Sequence, residues 1–576
     1  MWKLLRYLKN YKKESIIGPL FKLTEAIFEL IVPLVMSDII DVGIANGDKT
    51  YILGKGALLL LFGLVGLGCS LTAQFFAAKA AMGFGAELRH DMFDYYMGMT
   101  YSEHDSIGAA TLINRLNVDV NQVQSGVNLA LRLFLRSPFI VVGAVIMSFT
   151  IDVRLALITL VATPVIAVVV YIIMMKTIPR FKQIQAKLDD ILAASRGNLA
   201  GVRVVRAFAR QEKEKESFNR TTDELYDISI HTGHISALLN PISYVLLNIA
   251  VILVLWYGAK GVDTGRLTQG EVIALVNYLS QILLALIAMV NLINSFTKAI
   301  ASAGRITEIF DPEEFERKQA LTGAEKLTVL PEAGGRPHIR FDNVSFTYPG
   351  AEAPSVSNID FAVEKGKVLG IIGGTGAGKT TLINLLTGFY EATEGHIYID
   401  GTDINDIDDS EKRRRFSYTP QKKNLFKGTI RDNLLFGREA TDDELQHALE
   451  ISQAAEFVNK PGVGLDYAVE KGGTNLSGGQ QQRLTIARAL VGCSDVLILD
   501  DSASALDFAT DAALRKAIAT QTAGITLIIV SQRVGSLMNA DSILVLDDGR
   551  QVGLGKHDEL LGSCEIYKEI YESQTK

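Results

Sequence analysis

Apolar stretches long enough to cross a membrane recur up to about residue 300 of this chain, and they constrain its fold more than any other feature. A helix needs roughly 20 apolar residues to cross a bilayer core of about 30 Å. Such stretches lie at about 15–41, 53–79, 130–151, 154–176, 238–259 and 271–298. The first is the least regular because it carries Lys22, Glu25 and Glu29. We therefore expect an α-helical domain with six membrane spans over residues 1–305.

The composition fits a chain with one membrane half and one soluble half. Of its 576 residues, 48% are hydrophobic and 21% are charged. The mean hydropathy of +0.21 is too high for an ordinary soluble protein and too low for a chain that is membrane throughout. The net charge of −7 gives no reason to expect nucleic acid as a partner. The three cysteines lie far apart, so neither a metal site nor a disulfide framework is expected.

The connections between the apolar stretches alternate between short and long. Long, charged, helix-like stretches lie at about 80–130 and 177–237. Lysines and arginines precede the first span and place the N-terminus in the cytoplasm by the positive-inside tendency. Both long connections are then cytoplasmic, either as solvated helical stalks or as arms whose tips touch a soluble domain. We expect a multi-pass protein of the inner (plasma) membrane in which the N-terminus and the domain after the last span are cytoplasmic.

The first residues, MWKLLRYLKNYKKES, predict a basic amphipathic helix. Its apolar residues are Trp2, Leu4, Leu5, Tyr7 and Leu8. Such a helix is typical of a segment that lies on the membrane surface.

The sixth apolar stretch has a polar side. The polar residues within roughly 60° of one line along a helix are Asn277, Ser280, Gln281, Asn291 and Ser295. They predict either a water-accessible substrate cavity or hydrogen bonds between packed helices. Glu25 and Glu29 on the first stretch either attract a cationic substrate or lie at the inner end of the cavity wall, with Lys22 as a partner.

From about residue 337 the pattern changes to short β-branched strands that alternate with turns and amphipathic helices. This pattern predicts an α/β domain over residues 337–576. Proline and glycine residues just before it mark a linker, which we place at 306–336.

A glycine-rich loop between an apolar strand and a helical pattern predicts a phosphate site. Its residues are Gly373, Gly374, Thr375, Gly376, Ala377, Gly378, Lys379, Thr380 and Thr381. Backbone N–H groups of such a loop and the helix N-terminus bind phosphate oxygens, Lys379 meets the β- and γ-phosphates, and Thr380 offers a hydroxyl to Mg²⁺. Asp500 ends an apolar strand and suits a carboxylate near the magnesium. The sequence predicts a P-loop NTPase that binds ATP and Mg²⁺.

A further motif lies between the glycine-rich loop and Asp500. Its residues are Leu476, Ser477, Gly478, Gly479 and Gln480. With this motif in place the chain strongly resembles an ATP-binding cassette (ABC) transporter, whose signature sequence these residues match in full. Six spans followed by one cassette resemble the half-transporter layout of ABC exporters, and importers of this superfamily usually keep spans and cassette on separate chains. The resemblance implies a cassette with a RecA-like core and a helical subdomain.

The same resemblance implies roles for other residues. Tyr348 would stack on adenine, and Gln421 would contact magnesium and the membrane domain. Glu470 would lie where the cassette meets the connection between spans four and five. The tips of the long connections, around 104–108 and 205–209, would be coupling helices that sit in grooves on the cassettes. The residues at the D-loop positions are Ser504, Ala505, Leu506 and Asp507.

Two positions depart from the pattern of that family. In that family, the Asp that ends the Walker B strand, here Asp500, is normally followed by a Glu that polarises the attacking water, and a switch His follows the next strand. This chain has Asp501 and Gln532 at those two positions. The shorter Asp would hold the water about 1.5 Å from the place that Glu reaches, which costs about 10²-fold in rate if the geometry is demanding. Glutamine can bind a γ-phosphate through its amide, but it carries no charge and relays no proton. We expect a site that binds ATP and hydrolyses it poorly.

The resemblance also implies a partner. Cassettes of that family work in head-to-tail pairs, in which each ATP lies between the Walker A motif of one cassette and the signature of the other. A homodimer would hold two impaired sites. A heterodimer with a homologous half-transporter that has the usual Glu and His would keep one competent site, completed by this chain's intact signature. We expect the heterodimer.

The sequence thus predicts a subunit of a multidrug-type ATP-driven exporter that moves its substrate outward by alternating access. An amphipathic drug, a lipid and a peptide all remain open as substrates. The alternative is a regulatory or receptor-like membrane subunit in which ATP binding drives a signal without transport.

Overall fold

The computed structural model of this chain divides into two compact units. Unit 1 consists of Met1–Gly98 and Ala110–Gln319, and unit 2 of Met99–Ala109 and Ala320–Lys576. The residues that the structure describes are 1, 3–321, 337–492, 494–502, 506–522 and 524–575. Residues 322–336 of the predicted linker at 306–336 lie outside these residues, and the part up to residue 321 is largely helical.

Helices make up the first 321 residues. Their bounds are α1 (Lys12–Asp38), α2 (Lys49–Met97), α3 (Tyr101–Ile107), α4 (Ala109–Asn114), α5 (Val120–Leu133), α6 (Arg136–Ile151), α7 (Val153–Ala200), α8 (Val202–Ala207), α9 (Gln211–Ala237), α10 (Leu239–Asp263), α11 (Gln269–Thr307) and α12 (Pro312–Leu321). A 3₁₀ helix spans Leu4–Tyr11, and π-helical turns span Ile39–Ile44 and Arg115–Asp119. The long helices begin at side-chain caps: Asp152 accepts hydrogen bonds from two N–H groups of α7, and Thr268 forms a capping box with Glu271 at α11.

Five helical runs of the described chain are long and apolar enough to cross a membrane. They are Lys49–Met97, Ala109–Ile151, Val153–Ala200, Gln211–Asp263 and Gln269–Phe315. Each contains one of the apolar stretches expected from the sequence, and the long connections are helical continuations of these runs. The first expected span forms α1, which is not among the five, and its crossing of the membrane remains a prediction.

The N-terminal 3₁₀ helix packs against protein. Leu4 is fully buried and Tyr7 is 7% exposed. The Tyr7 hydroxyl donates a hydrogen bond to Asp91 of α2 at 2.7 Å. The expectation that these two side chains face a membrane surface is therefore wrong, because a carboxylate of α2 provides the partner that the buried phenol needs. Trp2 lies outside the described residues.

Unit 2 holds an α/β domain with one large sheet. Its strands are β1 (Ile339–Phe346), β2 (Val356–Val363), β3 (Val368–Gly373), β4 (Glu394–Ile399), β5 (Thr402–Asp403), β6 (Phe416–Thr419), β7 (Gly428–Thr429), β8 (Ala468–Val469), β9 (Val496–Asp500), β10 (Thr526–Val530), β11 (Ser542–Asp547) and β12 (Arg550–Gly555). Its helices are α13 (Lys379–Leu386), α14 (Asp409–Arg415), α15 (Ile430–Leu435), α16 (Asp442–Ile451), α17 (Ala455–Val458), α18 (Gly478–Leu490), α19 (Phe508–Gln521), α20 (His557–Ser563) and α21 (Glu565–Thr575).

The order of the strands in the sheet determines where the site lies. Ten strands run β5-β4-β1-β2-β12-β11-β3-β10-β9-β6, and the neighbours from β11 to β6 are parallel. In a parallel sheet, ligands bind outside the carboxyl ends of the strands. The carboxyl ends of β3, β10 and β9 therefore bring Gly373, Val530 and Asp500 to one edge. A second apolar core, which includes residues of α15 to α18, forms a helical part beside the sheet.

Candidate functional site

The glycine-rich loop runs from the end of β3 to the start of α13. Gly376 and Gly378 have φ values of +84° and +92°, in the left-handed region that favours glycine. A Cβ atom at Gly378 would also lie 2.6 Å from Cγ1 of Val356. The backbone therefore curls tightly enough to expose its N–H groups only because glycine occupies these positions.

Lys379 is held inside this loop. Its Nζ donates hydrogen bonds to the carbonyl oxygens of Gly373 at 2.8 Å and Gly374 at 2.6 Å. Burial lowers the pKa of Lys379, and the nearby carboxylates of Asp501 and Asp500 act in the opposite direction. Since both carbonyls are neutral acceptors, the ammonium keeps its charge available for a phosphate oxygen.

Asp500, the last residue of β9, is 1% exposed. Burial raises its pKa to about 6, the carboxylate of Asp501 also raises it, and a hydrogen bond from Tyr418 and the charge of Lys379 lower it. The Tyr418 hydroxyl lies 3.2 Å from an Asp500 carboxylate oxygen. Tyr418 was not predicted from the sequence, because it carries no motif of its own and lies on β6, which two strands separate from β3 and the glycine-rich loop.

Asp501 follows directly and has a φ of +47°. Its backbone N–H donates to the carbonyl of Val530 at 3.0 Å, which continues the β9–β10 pairing. Its carboxylate accepts a hydrogen bond from the side-chain amide of Gln421 at 3.5 Å. The turn thus directs the chain away from the sheet immediately after Asp500.

Gln532 lies two residues beyond the end of β10 and is exposed. The backbone carbonyl of Gln532 accepts a hydrogen bond from the Gln574 side-chain amide at 2.7 Å. The oxygen of the same amide accepts a hydrogen bond from the N–H of Val534 at 2.9 Å. Gln574 on α21 was not predicted from the sequence, because nothing in the motifs places the last helix beside this loop.

These side chains surround one cleft of about 310 Å³. The predicted residues that line it are Thr375, Gly376, Ala377, Gly378, Lys379, Thr380, Thr381, Gln421, Asp500, Asp501 and Gln532. Gly373 and Gly374 contribute through the carbonyls that hold Lys379. Ser355 and the Asp548-Gly549 turn also line the cleft, and they were not predicted from the sequence although Asp-Gly is a strong hairpin signal.

Tyr348, the residue expected to stack on adenine, is not among the residues that line this cleft. Its hydroxyl lies 3.2 Å from the Thr381 hydroxyl on α13. Its ring packs edge-on against Phe346 and Tyr390, with centroids 4.8 and 5.2 Å away. Tyr348 is thus anchored to the phosphate-binding helix, and its role toward a base remains a prediction.

The signature residues lie apart from the cleft, since none of Leu476–Gln480 is among the described residues that line it. Ser477 and Gln480 form a capping box at the start of α18, and Ser477 and Gly478 are exposed. The 13-residue helix therefore presents its N-terminus, a favourable place for an anion, on the surface.

The D-loop positions are described only in part. Ser504 and Ala505 lie outside the described residues. Leu506 is buried, and Asp507 caps α19 by accepting hydrogen bonds from Ala509 and Thr510. Glu470 is exposed and accepts a hydrogen bond from the Thr474 hydroxyl at 2.9 Å.

Of the two expected coupling segments, the first belongs to unit 2. Tyr101 of α3 stacks on Phe389 with ring centroids 4.4 Å apart, and the Tyr390 hydroxyl donates a hydrogen bond to Asp105. The second segment forms α8 in unit 1, and Phe208 immediately after it is 74% exposed. Its expected partner on a cassette remains a prediction.

The polar side of α11 is used partly for contacts between helices. Gln281 donates to the backbone carbonyl of Glu29 at 3.2 Å, and Asn277 donates to Ile273 one turn earlier on its own helix. Asn291 is exposed. These contacts favour the helix-packing interpretation for Gln281 and leave a cavity role for Asn291 as a prediction.

Glu25 and Glu29 of α1 both have cationic partners. Glu25 pairs with Lys22, as expected, and Lys22 also donates to Ser70 at 3.0 Å. Glu29 pairs with Arg136 of α6 at 2.7 Å, which the sequence analysis did not foresee. Their charges are therefore satisfied by protein, which argues against their attracting a cationic substrate.

Known protein families match both parts of the chain. The family described as the ABC transporter transmembrane region matches residues 15–286. The family described as ABC transporter matches residues 356–504.

Full-length relatives extend this similarity. The uncharacterized ABC transporter ATP-binding protein YfiB of Bacillus subtilis (strain 168) is 34% identical over 575 residues, which cover 100% of this chain and 98% of that protein. The ATP-dependent lipid A-core flippase of Vibrio vulnificus (strain YJ016) is 27% identical over 576 residues, with 99% and 97% covered. A solved structure of a bacterial Atm1-family ABC exporter with ATP bound shares the fold, with a TM-score of 0.76 at 22% identity and 99% of both chains covered.

Proposed function

Since this chain belongs to the ABC transporter family, we propose that it is one half of a heterodimeric exporter whose two ATP sites are unequal. It is an ATP-hydrolysing translocase of the multi-pass exporter type with a cytoplasmic ATP-binding cassette. Its own ATP site differs from a competent one at two positions, and that difference requires a partner with a competent site.

The cleft fits the triphosphate of MgATP. The loop glycines leave space and free N–H groups for phosphate oxygens, and the Lys379 ammonium lies beside them. Thr380, Gln421 and Asp500 offer a hydroxyl, an amide and a carboxylate, the oxygen ligands that Mg²⁺ prefers. We assign these three residues to the metal, which would neutralise charge on the phosphates when bound.

The observation that carries the proposal is the pair of side chains beside Lys379 and Asp500. Asp501 and Gln532 both line the cleft, at the positions where a competent site has Glu and His. The Asp501 carboxylate is engaged by Gln421, and its short side chain limits its reach toward a water at the γ-phosphate. Gln532 can donate a hydrogen bond to a phosphate, but it cannot take up a proton. We infer tight binding of ATP with slow hydrolysis at this site.

The signature of this chain would complete the second ATP site of the dimer, whose nucleotide the partner cassette holds. Ser477 and Gly478 are exposed at the N-terminus of α18, so a phosphate held by a partner cassette would meet N–H groups and a favourable helix dipole there. A partner with the usual Glu and His would then form one competent site with this chain. The impaired site would keep its ATP through many cycles and preserve one contact between the cassettes.

We also propose that α1 is the first of six spans. Its 27 residues extend about 40 Å, more than a bilayer core of about 30 Å. The charges that make it unlike the other spans are neutralised within the protein by the Lys22–Glu25 and Glu29–Arg136 pairs. Paired charges that face the bundle are compatible with a membrane helix.

We further propose an amphipathic, lipid-like substrate. An apolar cavity of about 460 Å³ lies between α7 and α11, and Met174, Met175 and Met289 line it beside Tyr171. Methionine side chains adapt to flexible apolar ligands. The similarity to a protein named as a lipid A-core flippase supports the same class.

The decisive experiment compares this chain alone with this chain purified together with a homologous half-transporter that has Glu and His. We expect ATP turnover and outward transport only in the mixed assembly, and retention of one labelled nucleotide per dimer during turnover. A Lys379→Ala variant of this chain should lose the retained nucleotide. Brisk turnover by a homodimer, or prompt exchange of both nucleotides, would refute unequal sites.

A transport assay distinguishes the exporter from the regulatory alternative. If the assembly binds ATP and changes conformation but moves no lipid-like probe in inverted vesicles, the receptor-like function is favoured. Asp501 and Gln532 support this alternative, because both are expected to slow ATP hydrolysis.

A further inference from the structure

Three cationic side chains converge on a pocket of about 460 Å³ between α7 and α10. Arg154 lies at the start of α7, Lys260 near the end of α10 and Arg266 in the connection to α11, and all three are exposed. No carboxylate belongs to the described residues that line the pocket. Asp152 pairs with Arg266 at 3.4 Å and offsets one of these charges. The outer basic pocket, as we call this site, therefore has a net positive charge.

The direction of the chain through the membrane puts this pocket at the outer face. The helix α11 is long and apolar enough to cross a membrane, and the chain continues from it into the cytoplasmic cassette. Its first turn and the connection that contains Arg266 are therefore at the outer face. Arg154 lines the same pocket and lies there too.

Cations at this face require an explanation. Lysine and arginine are enriched in cytoplasmic connections of membrane proteins and depleted outside. Here the outer ends of α7 and α10 and the short connection before α11 bring three of them to one pocket, where Asp152 is the carboxylate paired with one of them. These like charges repel one another, and a bound anion would offset that repulsion.

An apolar groove begins where the pocket ends. It has a volume of about 380 Å³, and Leu157, Val161 and Val165 of α7 face Leu246 and Leu253 of α10 across it. Ile158 lines both the pocket and the groove, so the two adjoin. From residue 154 to residue 166, α7 rises about 18 Å, which is roughly the depth of one leaflet.

Aromatic side chains mark the depth of the pocket. The Lys260 ammonium lies 5.3 Å from the ring centre of Trp256 and 5.8 Å from that of Tyr257. Trp256 is 63% exposed. Tryptophan and tyrosine concentrate at the level of lipid head groups, where one end of the ring is apolar and the other is wet.

From these features we propose that the chain binds an anionic phospholipid of the outer leaflet between α7 and α10. The phosphate head group lies in the outer basic pocket, where Arg154, Lys260 and Arg266 donate charge-assisted hydrogen bonds to it. One acyl chain lies in the apolar groove. The site is separate from the apolar cavity between α7 and α11, and it does not depend on whether the ATP sites are unequal.

Trp256 provides a probe beside this site, because its ring centre lies 5.3 Å from the Lys260 ammonium. The chain has only two tryptophans, so Trp2→Phe leaves Trp256 as the single tryptophan. The full-length Trp2→Phe chain is reconstituted into vesicles that contain brominated phosphatidylglycerol in unlabelled phosphatidylcholine, and into the reverse mixture. Bromine quenches tryptophan at contact, so the ratio of quenching at equal mole fraction measures the preference for the anionic lipid. We expect a clear preference, which high ionic strength weakens.

Charge-neutral variants test the assignment of the head group. Arg154→Gln, Lys260→Gln or Arg266→Gln should each lower the preference about fivefold. Lys49→Gln is the matched control, since Lys49 is an exposed cation at the start of α2 on the same face and does not line the pocket. ATP binding by each variant reports that the chain is folded.

The proposal is overturned by equal quenching from both lipids, by an effect of Lys49→Gln as large as that of the pocket variants, or by a preference that high ionic strength leaves unchanged. Protection of Trp256 from both lipids would mean that protein covers the groove and would also overturn it. If inorganic phosphate abolishes the preference at an ionic strength at which chloride leaves it in place, the pocket binds free phosphate and the lipid assignment fails.

Discussion

The side-chain amide of Gln421 donates a hydrogen bond to the Asp501 carboxylate at 3.5 Å. This long contact joins the residue assigned to magnesium with the residue at the position of the catalytic base. The polar groups expected to support hydrolysis are thus near one another. Under the proposed function, the site lacks the length of one side chain and the proton capacity of another.

Restoring both groups should therefore restore turnover. In the mixed assembly, Asp501→Glu together with Gln532→His is expected to raise ATP hydrolysis at this site about 10- to 100-fold, because it returns the base and its reach. The measurement is single-turnover hydrolysis of the nucleotide retained by this chain. The same double change combined with Lys379→Ala is the control and should show no gain. An unchanged rate would mean that another feature limits this site.

Asp500 predicts a pH dependence of magnesium binding. Burial raises its pKa to about 6, so the group is protonated below that pH and ionised above it. A proton competes with Mg²⁺ for the carboxylate, and the magnesium-dependent part of ATP affinity should therefore fall as the pH is lowered through about 6.

Binding of ATP with and without Mg²⁺ between pH 5 and 8 checks this expectation. Asp500→Asn removes the titrating group but leaves titration of the nucleotide itself, so it is the matched control. If the variant keeps the same pH dependence as the parent chain, Asp500 is not the group responsible.

The last helix should control the order of the loop after β10. Gln574 of α21 bridges the Gln532 carbonyl and the Val534 N–H at 2.7 and 2.9 Å. Gln574→Ala removes both bonds, and we expect faster hydrogen exchange at Val534. Gln574→Glu keeps an acceptor for this N–H and should change its exchange less. Ser573→Ala, whose hydroxyl bonds only within its own helix, should have no effect.

The contact between Tyr390 and Asp105 should be required for coupling. A hydrogen bond to a charged group is worth about 1.5–3 kcal/mol, so Tyr390→Phe or Asp105→Asn is expected to weaken docking of α3 about 10-fold or more. ATP binding should persist while transport falls. In a double-mutant cycle the second change should add little to the first.

Ser106→Ala serves as the neighbouring control, because its hydroxyl bonds to Glu103 within α3. Additive losses for the two changes at positions 390 and 105 would show that these residues act independently.

The sequence was sufficient where local chemistry sets the structure. The spacing of the glycines, Lys379 and Thr380 dictates a strand, a loop and a helix, and the structure contains them. Apolar length likewise predicts the helices in which five of the expected spans lie. Such features depend on residues that are neighbours along the chain.

The remaining contacts depend on tertiary packing. Glu29 meets Arg136 across 107 positions, and Tyr418 reaches Asp500 across 82. Each residue alone is an ordinary polar side chain, and no spacing rule links it to its partner. The burial of Tyr7 is another example, because an amphipathic pattern does not reveal whether its apolar side meets lipid or protein.

Because Met99–Ala109 belongs to unit 2, this segment and the cassette are expected to evolve together. Tyr101 and Asp105 are encoded among the membrane helices, yet their partners Phe389 and Tyr390 are encoded in the cassette. A cassette exchanged between relatives at the boundary near residue 337 would arrive without the eleven residues that match it. Recombination should therefore yield working chimeras only when both stretches come from the same parent, and the two should diverge together as these proteins evolve.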